Sequence, residues 1–230
     1  MNILLIIISI SIQIPPVENF EKIFGEKYEY ALSQMQSEKH IIDSISTLYR
    51  VDNKFTAAIV FPELIRFSVV RDYIEVNSME VIYVNTGRVD FSIGPFQIKP
   101  SFAEKIEKIV AEEKTFRKYL SNFEYPTENL IEIRKERIAR LKNTKHQLQY
   151  VAIFQRYIYQ RYPFLYRRPI EFQLKFLSTA YNSGFYSTRK EIEANMKKKY
   201  FPWGSLNDRQ KYNYAEISWY YYQNKYLWDL

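Results

Sequence analysis

Apolar residues recur every three to four positions through most of the chain, the spacing that gathers them on one face of an α-helix. VENFEKIFGEKYEYALSQM and EKHIIDSISTLYRV therefore predict two helices with a break near Ser37. In NKFTAAIVFPELIRFS, Asn53 is placed to cap, and an alanine-rich apolar run leads into Phe61-Pro62-Glu63. Proline lacks the N–H that a helix interior uses, so a bend or an end is expected there, with Glu63 at the break. Between Val69 and Asp90, VIYV has strand composition, yet NSMEVIYVNTG also reads as a short helix closed by Gly87; the helix is preferred. Beyond Pro100, helices are expected at 101–113, 127–143, 145–161, 169–181, 189–199 and 209–227, the second with Glu/Arg pairs four residues apart. The expected fold class is mainly α, with one small β-hairpin at most.

The N-terminus breaks this pattern. Ile3 to Ile14 is an uncharged apolar run ending at Pro15-Pro16. It is too short to span a bilayer as a helix and suits the hydrophobic region of a secretory signal. Residues 1–16 are expected to be a signal or anchor that exports the protein to the periplasm or cell envelope, although the usual basic residue before the run is missing. No repeat, low-complexity linker or Gly/Ser hinge interrupts the rest of the chain, so 17–230 is expected to be a single, monomeric domain.

The absence of cysteine excludes disulfides, thiol nucleophiles and Cys-based zinc sites, and two histidines, His40 and His146, are too few for a His-rich metal site. Neither lies in a metalloprotease or serine-hydrolase motif. No metal or cofactor is expected, which leaves carboxylates, amides and tyrosines as the working groups. The net charge of +7 is concentrated after residue 150, where 13 Lys and Arg face 6 Asp and Glu. One short cluster, KKKY at 197–200, is too little for nucleic-acid recognition, and no binding motif accompanies it. The 21 tyrosines and 16 phenylalanines exceed what packing requires and suit half-wet clefts where a ring stacks on a ligand.

Three stretches put polar groups where packing alone would not. Glu63 lies among Ile59, Val60, Phe61, Leu64 and Ile65, surroundings that strip a carboxyl of water, raise its pKa and suit it to general-acid work. In GPFQIKP, Gly94 permits a tight turn, Pro100 opens the next helix, and Gln97 is fixed between them. In LKFLSTAYNSGF, an apolar helix ends at Tyr181-Asn182 with Gly184 as its stop.

In this order the three blocks resemble the lytic transglycosylase branch of the lysozyme-like superfamily: a catalytic Glu at the end of an apolar helix, a Gly-Leu-Met-Gln-Ile-x-Pro loop, and a helix ending in Ala-Tyr-Asn-x-Gly. Here the matches are Glu63, Gly94 to Pro100, and Ala180 to Gly184. The third block is the most specific, and the motif-bearing core covers about 50–190. Leu64 replaces the family's usual Ser after the Glu, unless Ser68 or Ser92 supplies the hydroxyl. Both intervals between blocks are longer than the family norm, implying insertions near 70–88 and 114–145.

The resemblance implies a lysozyme-like helical domain that cuts peptidoglycan between N-acetylmuramic acid and N-acetylglucosamine. Glu63 would act as sole acid and base, and Gln97, Tyr181, Asn182, Ser92 and Phe96 would bind the sugars. A hydrolytic lysozyme would need a second carboxylate, for which Asp90 is the candidate, with Asp72, Glu75 and Glu80 less well placed. A non-catalytic module docking on peptidoglycan is the further alternative.

Overall fold

The computed structural model describes residues 18–67, 73–201 and 210–224, with side chains in the second stretch from residue 78. The expected export segment at 1–16, Ser68 and Asp72 lie outside the described residues, as does the Glu75 side chain. Ten α-helices follow in chain order among the described residues: α1 (Phe20–Phe24), α2 (Glu26–Tyr49), α3 (Asn53–Phe67), α4 (Tyr73–Thr86), α5 (Pro100–Glu112), α6 (Leu130–Lys142), α7 (Thr144–Arg161), α8 (Ile170–Ser183), α9 (Arg189–Asn195) and α10 (Tyr214–Asn224). Short 3₁₀ turns at Arg117–Asn122 and Pro163–Arg167 complete them. The fold is mainly α. Among the described residues, two isolated bridges, Ile93 with Ile98 and Phe201 with Tyr212, stand where a hairpin is expected.

α3 is the axis of this arrangement. Every residue from Phe55 to Ile65 is buried, because α2, α7, α8 and α10 all pack on it. A helix that is apolar all round is stable only when enclosed in this way. Enclosure also carries α3 through Pro62, where a bend or end is expected from the sequence; the helix runs on to Phe67. Asp52, not Asn53, provides the cap, its Oδ1 accepting from the Phe55 N–H at 2.9 Å. The expected break near Ser37 is absent: the Ser37 hydroxyl donates back to the Gln34 carbonyl at 2.8 Å and α2 continues. The interruption falls instead at Gly25, whose φ of 50° separates α1 from α2.

α4 confirms the helical reading of the ambiguous segment and stops at Gly87, whose N–H donates to the Tyr83 carbonyl at 2.7 Å. α4 packs on α6, and α6 packs on α5 and α7. These contacts surround a polar cluster: the nearly buried Arg137 guanidinium donates to both Glu107 oxygens, with Nη2 at 2.6 Å from Oε2. Its Nη1 reaches the Tyr83 hydroxyl at 2.6 Å and Glu104 at 3.0 Å. The Tyr125 and Tyr150 hydroxyls also donate to Glu107 Oε1. The sequence suggests pairing along α6, and Arg140 with Glu136 does so at 3.1 Å; Arg137 points inward instead. Among the described residues no helix is long and apolar enough to cross a membrane.

Candidate active site

Burial of α3 carries Glu63 with it, leaving the residue 5% exposed. The loss of water pushes its carboxyl up to about 7, against the smaller opposing effects of Arg66, Tyr214 and Lys99. The Arg66 guanidinium lies 3.8 Å from Glu63 Oε2, too far for a hydrogen bond, and among the described residues Oε2 has no hydrogen-bond partner. Tyr214, from α10, stands against Glu63, but its single phenolic proton is directed to the Ile59 carbonyl at 2.8 Å. Hence the carboxyl is desolvated and incompletely satisfied, the condition of an acid that keeps its proton near neutral pH.

The second block forms a four-residue turn closed by the paired N–H and carbonyl groups of Ile93 and Ile98, at 3.0 and 3.2 Å. Gln97 sits at its end with φ of 51°, in the left-handed region that glutamine rarely adopts. Its side-chain Nε2 donates to the Gly94 carbonyl at 2.9 Å, which leaves Oε1 as the amide's acceptor for a ligand. Strain of this kind persists only where surrounding contacts over-determine it, and here the constraint comes from Gln147 of α7. That fully buried side chain donates to the carbonyls of Ile93 and Leu141 at 2.6 and 2.7 Å and accepts from the Phe96 N–H at 3.0 Å. A Cβ on Gly94 would stand 2.5 Å from Gln147 Nε2 and 2.6 Å from the Leu141 carbonyl, at a φ of 68°. Gly94→Ala is accordingly expected to cost about 1–3 kcal/mol. Urea unfolding of the variant beside the parent checks this, and equal midpoints would count against the bracket.

The third block ends α8 as expected, with Gly184 at φ 102° and its N–H on the Ala180 carbonyl. Tyr181 turns inward: its hydroxyl donates to the Phe96 carbonyl at 2.8 Å, and its ring packs on Phe102 and Phe154. Phe96 is thus pinned at both backbone groups, and its ring is wholly buried. The expectation that Phe96 contacts sugar is corrected: its ring is part of the core.

Glu63, Gln97, Tyr181, Asn182, Ser92 and Asp90 all line one cleft of about 270 Å³, to which α3, the Gly94 turn, α5 and α8 contribute. Asn182 is exposed at the mouth, whereas Ser92 and Gln97 are half-buried. Arg66, Lys99 and Lys105 add positive charge to the lining. Asp90 is engaged elsewhere: its two oxygens accept from the backbone N–H and hydroxyl of Ser101 at 3.0 and 2.9 Å, capping α5. Glu80 pairs with Lys142 at 2.8 Å and does not line the cleft. Among the described residues no group of three or more His, Asp or Glu side chains is placed to share a metal ion.

Sequence reading missed Gln147 and Tyr214. Gln147 lies four, seven and eleven residues before Val151, Phe154 and Ile158, all buried, so a polar residue on an apolar stripe was its visible sign. Tyr214 offered no such sign, since tyrosines crowd the C-terminal segment. No protein-family model, curated protein or solved structure is significantly similar to this chain.

Proposed function

We propose that the protein is a peptidoglycan lytic transglycosylase in which Glu63 is both acid and base. The observation that carries this reading is a single desolvated carboxyl, with pKa pushed up to about 7 and one oxygen without a hydrogen-bond partner, on a cleft shared with Gln97, Tyr181 and Asn182. The motif resemblance supplies the substrate class. Glu63 protonates the glycosidic oxygen as the bond to the muramoyl anomeric carbon breaks through an oxocarbenium-like state, assisted by the sugar's own acetamido group. The resulting carboxylate takes the proton of the muramoyl 6-hydroxyl, whose oxygen closes the 1,6-anhydro ring. Glu63 regains its proton, and no water is consumed. Gln97 Oε1 and Asn182 hold sugar hydroxyls or acetamido groups, while Tyr181 fixes the turn from beneath. The engagement of Asp90 with Ser101 speaks against a hydrolase, which needs a second carboxylate free to act on water or carbon.

Mass spectrometry of purified peptidoglycan after incubation with the protein tests the proposal. Released muropeptides one water lighter than hydrolysis products are expected. Products carrying the full water would replace the transglycosylase by a lysozyme, and retention on the polymer without cleavage would replace both by a docking module.

A further inference from the structure

A second cavity opens at the other end of α3. It holds about 510 Å³ and is lined by Arg50, Asp52, Gln155, Arg156, Tyr159 and Tyr166, among others. None of its lining residues belongs to the Glu63 cleft. Asp52 and Glu63 are eleven residues apart, about 16 Å along a helix, so the cavity is a separate place on the molecule.

Its lining includes a buried donor without an acceptor among the described residues. Gln155 is 1% exposed, and its Oε1 accepts from the Thr56 hydroxyl at 3.0 Å, while that hydroxyl also lies 2.9 Å from the Asp52 carbonyl. The Gln155 amide is thus held at the cavity wall through Thr56. Arg156 donates through Nη1 to the Tyr49 carbonyl at 3.0 Å, yet its buried Nε has no partner among the described residues. Buried donors are seldom left unmatched. Two guanidinium groups face one carboxylate in this lining, and Asp52 Oδ1 is already accepting from Phe55 N–H. The chemistry that would complete this lining is a negatively charged acceptor, and a guanidinium fits a carboxylate best.

Beside these donors, the Tyr159 and Tyr166 rings stack at 4.8 Å. The Tyr159 hydroxyl is anchored on Gln173 Oε1 at 2.6 Å, and Tyr166 is 69% exposed. A rigid ring pair open on one side offers a face to the apolar C–H surface of a sugar, whose hydroxyls then meet the amide. We propose that this cavity is a second carbohydrate site, taking a sugar that bears a carboxylate, with the ring on Tyr166 and the carboxylate on Arg156. The site stands whichever reaction runs at Glu63.

The test is an NMR titration of the full chain with N-acetylmuramic acid, glucuronic acid and, as the uncharged comparison, N-acetylglucosamine. The Arg156 Nε–H and Gln155 side-chain amide signals are followed beside the Gln97 and Asn182 signals of the cleft. Both acids are expected to shift the Arg156 and Gln155 signals to saturation, and the uncharged sugar to bind about tenfold more weakly, as the loss of one charge-assisted contact requires. Arg156→Gln should bring the acids to the level of the uncharged sugar. Tyr166→Ala alters an exposed ring, so it keeps the test intact should the first variant fail to fold; it should weaken all three sugars while leaving the cleft signals in place. Shifts confined to Gln97 and Asn182, equal affinity for the uncharged sugar, or saturation by AMP or inorganic phosphate at lower concentration than either acid would each overturn the assignment. The cleft signals and cleavage products report on Glu63 separately.

Discussion

Glu63→Gln should abolish release of anhydro-products and, at pH 8, leave the protein about 3 kcal/mol more stable than its parent. Loss of activity follows because glutamine cannot deliver or recover a proton, and no second carboxylate of the cleft is free to substitute. The gain in stability follows from the same burial. In the folded chain the carboxyl is raised from 4.5 to about 7 by loss of water, a rise worth about 3 kcal/mol. The sign is set by where the proton goes. Below the unfolded pKa the group is neutral in both states, so the substitution should change little at about pH 4. Between 4.5 and about 7 the unfolded chain releases a proton that the folded chain keeps, and stability falls as pH rises. Above that window the folded protein carries a buried charge that glutamine lacks. Urea unfolding of both proteins at pH 4, 6 and 8 should show the gap opening with pH. A constant gap, or none, would mean that Glu63 is not held in a dry site. Activity of the parent should decline above about pH 7 as the protonated form is lost.

Arg137→Met should be the most damaging single change outside the cleft, lowering unfolding free energy by about 3–5 kcal/mol because Glu107 is left charged without its partner. For a chain of this size that corresponds to a fall in Tm of roughly 10 °C. The cause is distinct from lost packing, since methionine fills similar volume. Three hydroxyls and Glu104 belong to the same network, and none of them carries positive charge. A paired variant, Arg137→Met with Glu107→Leu, should therefore be more stable than Arg137→Met alone, an interaction visible in a double-mutant cycle. Calorimetry of the four proteins decides it: simple additivity of the two changes would sink the account.

What the sequence revealed was what neighbouring residues decide together. The apolar run around Glu63, the Gly94 turn and the end of α8 were legible because each depends on a few consecutive positions. Their convergence on one cleft was suggested by motif order and needed the fold to be seen. Pro62 misled because the usual penalty for proline is local, whereas enclosure of α3 by four helices is not. Ser37 misled in the same sense for a different reason, since a serine in mid-helix bonds back to the preceding turn and stays. Phe96 was placed in the cleft because the residues beside it are; only the pinning of its backbone by Gln147 and Tyr181 turns its ring inward. Contacts such as Gln147 with Ile93, 54 residues apart, and Tyr214 with Ile59, 155 apart, leave at best a misplaced polar residue as their trace.

The pairing of α4 with α6 has a consequence for anyone shortening this chain. One of these helices precedes the Gly94 turn and the other follows α5. They meet each other: Glu80 holds Lys142, the Val84 carbonyl receives Arg134 at 3.3 Å, and Tyr83 receives Arg137. Trimming α4 alone would take away the acceptors of Lys142 and Arg134, and trimming α6 alone would take away the donors to Glu80 and the Val84 carbonyl. The two stretches are one cassette written in two places, to be removed or transplanted as a pair and with a new surface designed for α5.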